Sequence, residues 1–137
     1  MKKLVLMFLF AFVSILSIEA QTYYYRTTGF AMKHVNSYGS WTNWTDWEKS
    51  DMLVTIDYDN DIVRIYSPRR QTYQITNYVR RYTDSSGGSQ VEFNFIDQDG
   101  DRGSMRFRIE TNGNSQLYVE FNDIMWVYNL VRTNNRY

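Results

Sequence analysis

Apolar and polar residues alternate along run after run of this chain, and short clusters of turn-forming residues separate the runs. Val91, Phe93 and Phe95 alternate with Glu92 and Asn94; beyond "DQDGDRG", Met105, Phe107 and Ile109 alternate with Arg106 and Arg108. Beyond "TNGNS", Leu117, Val119 and Phe121 continue the same face. A period of two is the mark of a strand with one face buried, and it excludes a helical fold, whose apolar positions recur every three to four residues. Thr22 to Val35 reads as a long strand or bent strand pair with Gly29 as a bulge, and Met52 to Tyr58 places Met52, Val54 and Ile56 on one side. An Asp59-Asn60 hairpin loop then sets Ile56 against Val63 and Val54 against Ile65. Pro68 suits a turn after Ser67, and Thr72 to Tyr82 follows with Tyr73, Ile75 and Val79 on one side. An Asn122-Asp123 loop sets Phe121 against Ile124, Val119 against Trp126 and Leu117 against Tyr128. The last six residues, 132–137, are polar and expected to fray.

About eight strands joined by short hairpins make an all-β antiparallel meander. Such a chain buries its single apolar face by closing into a barrel or by folding into a β-sandwich. The expectation is a small up-and-down barrel resembling a lipocalin, because closure removes the unpaired edges that invite aggregation. Its inward positions are bulky, which predicts an interior filled by side chains.

Residues 1–20 stand apart from this pattern. Lys2 and Lys3 precede an apolar run from Leu4 to Ile18, and Ala20 offers a small residue before the cut, the layout of a cleavable secretory signal. The expected mature chain is one domain, 21–137, exported to the periplasm or the cell exterior and with no membrane insertion once the signal is removed. There is no cysteine, so disulfides, thiolate metal sites and catalytic thiols are excluded. Of the 15 basic and 15 acidic side chains, the leader takes two and one, leaving a formal charge of −1. A near-neutral domain lacks the clustered basic excess that nucleic acid requires.

Few residues suggest chemistry. His34 is the sole histidine and has no nucleophile at a suggestive spacing. The expected registers place Glu92 opposite Arg108 and Glu120 opposite Arg106, which suits cross-strand ion pairs rather than a general acid with a raised pKa. Asp97, Asp99 and Asp101 resemble a calcium loop, but the glycine stands fourth instead of sixth and Arg108 takes the place of the closing glutamate. The run 57–61 is also rich in aspartate. In a meander the two loops lie at opposite ends and cannot share an ion. Both read as turns, and no metal or cofactor is implied.

The remaining signal is "GSWTNWTDWEKSD", with Trp41, Trp44 and Trp47 at a spacing of three. Thr42, Asn43 and Thr45 are poor helix formers, so the segment is expected to be extended. Asn43-Trp44-Thr45 also matches a glycosylation acceptor, which reads as a chance match in a chain whose leader looks bacterial. The spacing resembles the tryptophan ladder of thrombospondin type 1 repeats, in which arginines stack between the rings. That resemblance implies a packing device here, with Arg106 and Arg108 as the intercalating cations. "SYGSWTNWTDWEKSDMLVTIDYDNDIVRIYS" together with "QLYVEFNDIMWVYNL" resembles small exported proteins of gut Bacteroidota and their phages, which implies a compartment and no catalytic residues.

The function expected from the sequence is a non-catalytic exported binding protein. It would hold a small apolar or sugar-like ligand at the barrel mouth, with Tyr24, Trp41, Trp44 and Trp47 as contact residues. The alternative is a protein-interaction module, an inhibitor or accessory subunit acting on another exported protein and using the tyrosine-rich first strand. An enzyme such as a glycosidase ranks third, because no suitable group of residues converges.

Overall fold

A computed structural model describes residues 22–134; the proposed signal segment and the last three residues lie outside the described residues. The described residues form nine strands and no helix: β1 (Thr22–His34), β2 (Glu48–Lys49), β3 (Leu53–Asp57), β4 (Ile62–Ile65), β5 (Gln71–Thr83), β6 (Ser89–Asp97), β7 (Arg102–Ile109), β8 (Ser115–Glu120) and β9 (Ile124–Arg132). From β3 onward each strand pairs antiparallel with the next, and β9 returns to pair with β1. The result is a closed eight-stranded up-and-down barrel, with β2 as a two-residue addition to β1. It is the lipocalin-like architecture expected from the alternation, with closure deciding against the sandwich.

Hairpin registers follow the hydrophobic pattern. Val54 lies opposite Ile65 and Ile56 opposite Val63; Leu117 lies opposite Tyr128 and Val119 opposite Trp126. A slip of one residue would turn every apolar side chain outward, so burial fixes the register. The β3–β4 loop is longer than the expected pair: it spans 58–61, and Asp61 rather than Asp59 or Asn60 takes the left-handed conformation, at φ 54°. Asp57 Oδ1 accepts from the backbone N–H groups of Asp59 and Asn60, which holds the wider loop. At the chain end, Arg132 is still in β9 opposite Tyr25, and Thr133 N–H donates to the Tyr24 carbonyl. The barrel's last strand therefore runs into the segment expected to fray.

One connection recurs four times, at 36–40, 84–88, 97–101 and 110–114. In each, the first residue donates its N–H to the carbonyl of the fifth, and the fourth donates back to the carbonyl of the first. The fourth residue is always glycine, with φ between 81° and 89°, because the loop closes only through a left-handed residue. Asn36, Asp84 and Asp97 each add a side-chain oxygen that accepts from the third and fifth N–H groups. An acidic or amide residue three places before glycine is thus the signal for each of these four turns.

The interior is packed. Val54, Ile56, Val63, Ile65, Phe93, Phe95, Met105, Leu117, Val119 and Leu130 are fully buried, and Tyr73 packs edge-on against Phe95 at 4.7 Å between ring centroids. Gly103 lies opposite Phe95 in the β6–β7 register, and the Phe95 ring covers it. A Cβ there would stand 2.5 Å from that ring and 2.4 Å from the Glu120 carbonyl oxygen.

The long strand β5 departs from simple alternation. It is bulged between Ile75 and Asn77 and again between Tyr78 and Arg80, so Val79, expected inside, is 52 % exposed. The physical reason is a mismatch of length. β4 pairs only with residues 71–74 of β5, so beyond Ile75 the strand has no neighbour on that side among the described residues. Bulges and the charged pair Arg80-Arg81 blunt the free edge.

Replacing Gly103 by alanine is expected to lower stability by about 1–3 kcal/mol, the usual cost of overpacking a tight site. Urea unfolding followed by circular dichroism measures it, and Gly100→Asn, at an open left-handed turn position, should cost clearly less.

Candidate functional site

The tryptophan segment is the first place to look, and its spacing of three has a backbone cause. β3 pairs with β1 only up to Arg26, which leaves the far half of β1 open on that side. Residues 41–49 cover it. Thr42 N–H donates to the His34 carbonyl while the Thr42 hydroxyl accepts from His34 N–H at 3.1 Å. Thr45 repeats both bonds with Met32, its hydroxyl accepting at 2.9 Å, and Glu48 lies opposite Phe30. Three residues of the segment thus match two of β1, and threonine hydroxyls stand in for the missing backbone acceptors. Each tryptophan precedes a pairing residue, so all three rings fall on one side.

That side is the outer wall. Lys33, not an arginine, carries the intercalating charge: its Nζ lies 4.7 Å from the Trp44 ring centroid and 5.5 Å from that of Trp41. Trp44 meets Tyr118 edge-on at 6.1 Å, and the Arg106 guanidinium covers the other ring at 4.2 Å. Ala31 and Val127, which point outward, are only 1 % and 2 % exposed. They lie opposite each other in the β1–β9 register, and Val127 lies opposite Tyr118, so the belt seals a small apolar layer outside the barrel.

The expected arginine ladder is therefore corrected. Arg106 reaches the belt only through Tyr118, and Arg108 is drawn away to Asp84 and Glu110, both at 2.9 Å. The β6–β7 and β7–β8 registers are each offset by two from expectation: Glu92 faces Arg106, with Arg80 as its ion-pair partner at 3.1 Å, and Glu120 faces Ser104. The turns at 97–101 and 110–114 are each centred one residue earlier than "DQDGDRG" and "TNGNS", so each pairing shifts by two.

Tyr24 also lies away from the barrel mouth. It alternates outward, opposite Thr55, and lines a shallow hollow with Arg26, Leu53, Tyr66 and Arg70. Its neighbours Tyr23 and Tyr25 take the inward positions.

The two ends of the barrel differ in chemistry. At the end that carries the 97–101 turn, a depression of 880 Å³ is lined by Asp97, Asp99, Asp101 and Asp123 together with Arg69 and Arg102. One oxygen from each of Asp97, Asp99 and Asp101 falls within 4.8 Å of the others. Asp97 Oδ1 already accepts from two backbone N–H groups at 2.9 Å, and Asp99 lies 3.6 Å from Arg69. The run performs the work of a turn. The aspartates of 57–61 are at the opposite end, as the meander requires.

The second end opens into a cavity of 660 Å³ walled by Tyr23, Tyr25, Tyr58, Val91, Phe107 and Ile109, with Arg81 and Arg132 on its rim. Tyr23 meets Tyr58 edge-on at 5.6 Å, Tyr25 meets Phe107 at 5.3 Å, and the Arg132 guanidinium lies 4.5 Å over the Tyr23 ring. Burial pushes the Tyr25 phenol up to about 12 and raises that of Tyr58, so both are neutral hydroxyls at neutral pH. Alternation on β1 delivers two of these rings. The two bulges of β5 cancel in parity, so Arg81 returns to the inner side opposite Val91.

Tyr23 and Tyr25 are not singled out by β1 alone, because three consecutive tyrosines fit either parity. Arg81 and Arg132 were hidden because each belongs to a polar cluster that reads as solvated surface. Comparison of the chain with protein-family models, with curated proteins and with solved structures finds no match to any of them.

Two outcomes follow from the belt and its neighbouring ion pairs. Replacing both Thr42 and Thr45 by valine removes two side-chain acceptors and should cost about 1–2 kcal/mol in urea unfolding, with a rise in tryptophan quenching by acrylamide. Asp84, held by Gln90 and Arg108, has its carboxyl lowered to about 2. A depressed carboxylate contributes stability that is complete above its unfolded value of about 3.9 and is lost as pH falls through the folded one. Thermal unfolding should therefore weaken between about pH 4 and pH 2, and Asp84→Asn should flatten that part of the profile.

Proposed function

We propose that this protein is a non-catalytic binding protein that holds a small molecule at the tyrosine-walled mouth of its barrel. One observation carries the reading. The barrel is filled along its length, yet at one end its inward positions become tyrosine rings around a cavity whose 660 Å³ falls within the range of about 300–1,000 Å³ usual for small-molecule sites. Rings with polar tips bind apolar ligand surface while keeping hydroxyls available, which suits an apolar or sugar-like ligand.

Access is available on the same side. β3 and β4 are short and β5 extends past them, so the wall is low where Tyr58 and Arg81 meet. The tryptophan belt is assigned a covering role, because its backbone completes the open edge of β1 and its rings bury Ala31 and Val127. Export from the cell, with residues 1–20 removed, belongs to the same proposal, since it rests on the leader pattern of the sequence.

A second reading is favoured by the outer wall. Trp47, Tyr78, Val79 and Tyr38 are exposed, and aromatic residues of this kind are enriched at protein interfaces. A protein-interaction module would use them.

Native mass spectrometry of residues 21–137 produced in a bacterial host tests both. An additional small mass, released on gentle unfolding and lost in a Val91→Trp variant that fills the mouth, is the expected result. A bare chain that captures no small molecule from the host's extract overturns the mouth reading. A dimer or a heteromeric species without the small mass favours the interaction module.

A further inference from the structure

The cavity at the tyrosine end has an unbalanced lining. Two guanidinium groups, Arg81 and Arg132, border it and no carboxylate does, in a chain with equal numbers of acidic and basic side chains. Neither arginine makes an ion pair within 4.0 Å among the described residues, whereas Arg26, Arg69, Arg80 and Arg108 all do. Acidic groups near this end have other partners. Asp84 and Glu110 are held by Arg108, Asp57 accepts from Asn60, and Asp61 accepts from the Tyr78 hydroxyl at 3.3 Å.

The two cations are linked by the tyrosines. Arg132 covers Tyr23, Tyr23 packs on Tyr58, and the charge of Arg81 acts on Tyr58. The rim thus runs from Arg132 over Tyr23 to Tyr58, with Arg81 bordering the same cavity and the apolar surfaces of Tyr25 and Phe107 behind it. Stacking on Tyr23 fixes the plane of the Arg132 guanidinium and leaves its N–H edge for a ligand, the geometry that binds a carboxylate through paired hydrogen bonds.

We infer that the ligand of this mouth is a small amphiphilic anion, its carboxylate taken between Arg81 and Arg132 and its apolar body laid against the tyrosine rings and Phe107. This assignment rests on the mouth being the binding site, and it adds the charge and the class of the ligand. Phenols kept neutral by burial serve such an anion as hydrogen-bond donors without repelling it.

The test titrates residues 21–137, with tyrosine rings isotopically labelled, against decanoate, decanol and decylamine below their aggregation limits, and follows the Tyr23, Tyr25 and Tyr58 resonances by NMR. Decanoate is expected to move all three, with decanol binding at least about tenfold more weakly and decylamine more weakly still. Arg81→Gln and Arg132→Gln should each weaken decanoate roughly tenfold, the usual loss of a charge-assisted hydrogen bond, and leave decanol unchanged. Both side chains are exposed, so the fold should survive, and circular dichroism verifies that. Arg69→Gln, at the opposite end, should leave decanoate affinity as it was. Equal affinity for decanoate and decanol, unaffected by either arginine variant, overturns the anion assignment while leaving the mouth as a binding site. No movement of the tyrosine resonances with any of the three probes overturns both.

Discussion

The pairing of β1 with β9 is the contact on which the rest of this structure depends. It joins Tyr25 to Arg132 at one end and His34 to Ile124 at the other, and it converts an open meander into a barrel. Without it, Phe30 and Tyr128, which pack together at 5.5 Å, would face water on separate strands, and both terminal strands would be left with unpaired backbone groups. Closure over so long a sequence separation carries an entropic cost. Local hairpins with self-closing turns reduce that cost by presenting the preformed sheet to its first strand.

Closure also creates the problem that the tryptophan segment solves. A thirteen-residue strand shared between a short β3 and a long β9 has one uncovered half edge. The chain covers it with a segment whose rise does not match a regular strand, and threonine hydroxyls make up the difference. The cations and rings outside are a consequence of this arrangement: once every third residue is committed to β1, the residue before it is placed on the outer wall, and a large flat side chain there seals Ala31 and Val127 from water. Lys33 stacks between two of the rings for a contribution of about 0.5–1 kcal/mol each at such exposure. The belt's geometry is thus accounted for by packing against β1.

Strand length decides which end is open. Phe121 packs against both Phe95 and Trp126 toward one end, and the depression there is ringed by aspartates already committed to turns and ion pairs. At the other end β4 stops early, β5 continues with two bulges and only β6 beside it, and the wall is formed by tyrosines and by arginines that make no ion pair among the described residues. Bulges at a barrel rim re-aim side chains without breaking the ladder below them, and here they return Arg81 to the cavity after exposing Val79.

Much of this was legible in the residues. Alternation determined strands and faces, and with the turns two hairpin registers; a slip of two keeps the same faces buried, so elsewhere the turn decided the pairing. It also placed the two aspartate loops at opposite ends, since parity in a meander is a matter of counting. What the tertiary structure decided is whatever depends on a neighbour remote in sequence. The identity of the cation between Trp41 and Trp44 is one case: Lys33 wins because β1 lies directly beneath the belt, while Arg108 is drawn to Asp84 across a different turn. The inward choice of Tyr23 and Tyr25 over Tyr24 is another, set by which face of β1 meets Ile56 and Val54. The mouth is the third, because a cavity arises where strands of unequal length end together, and no single strand carries that information in its own sequence.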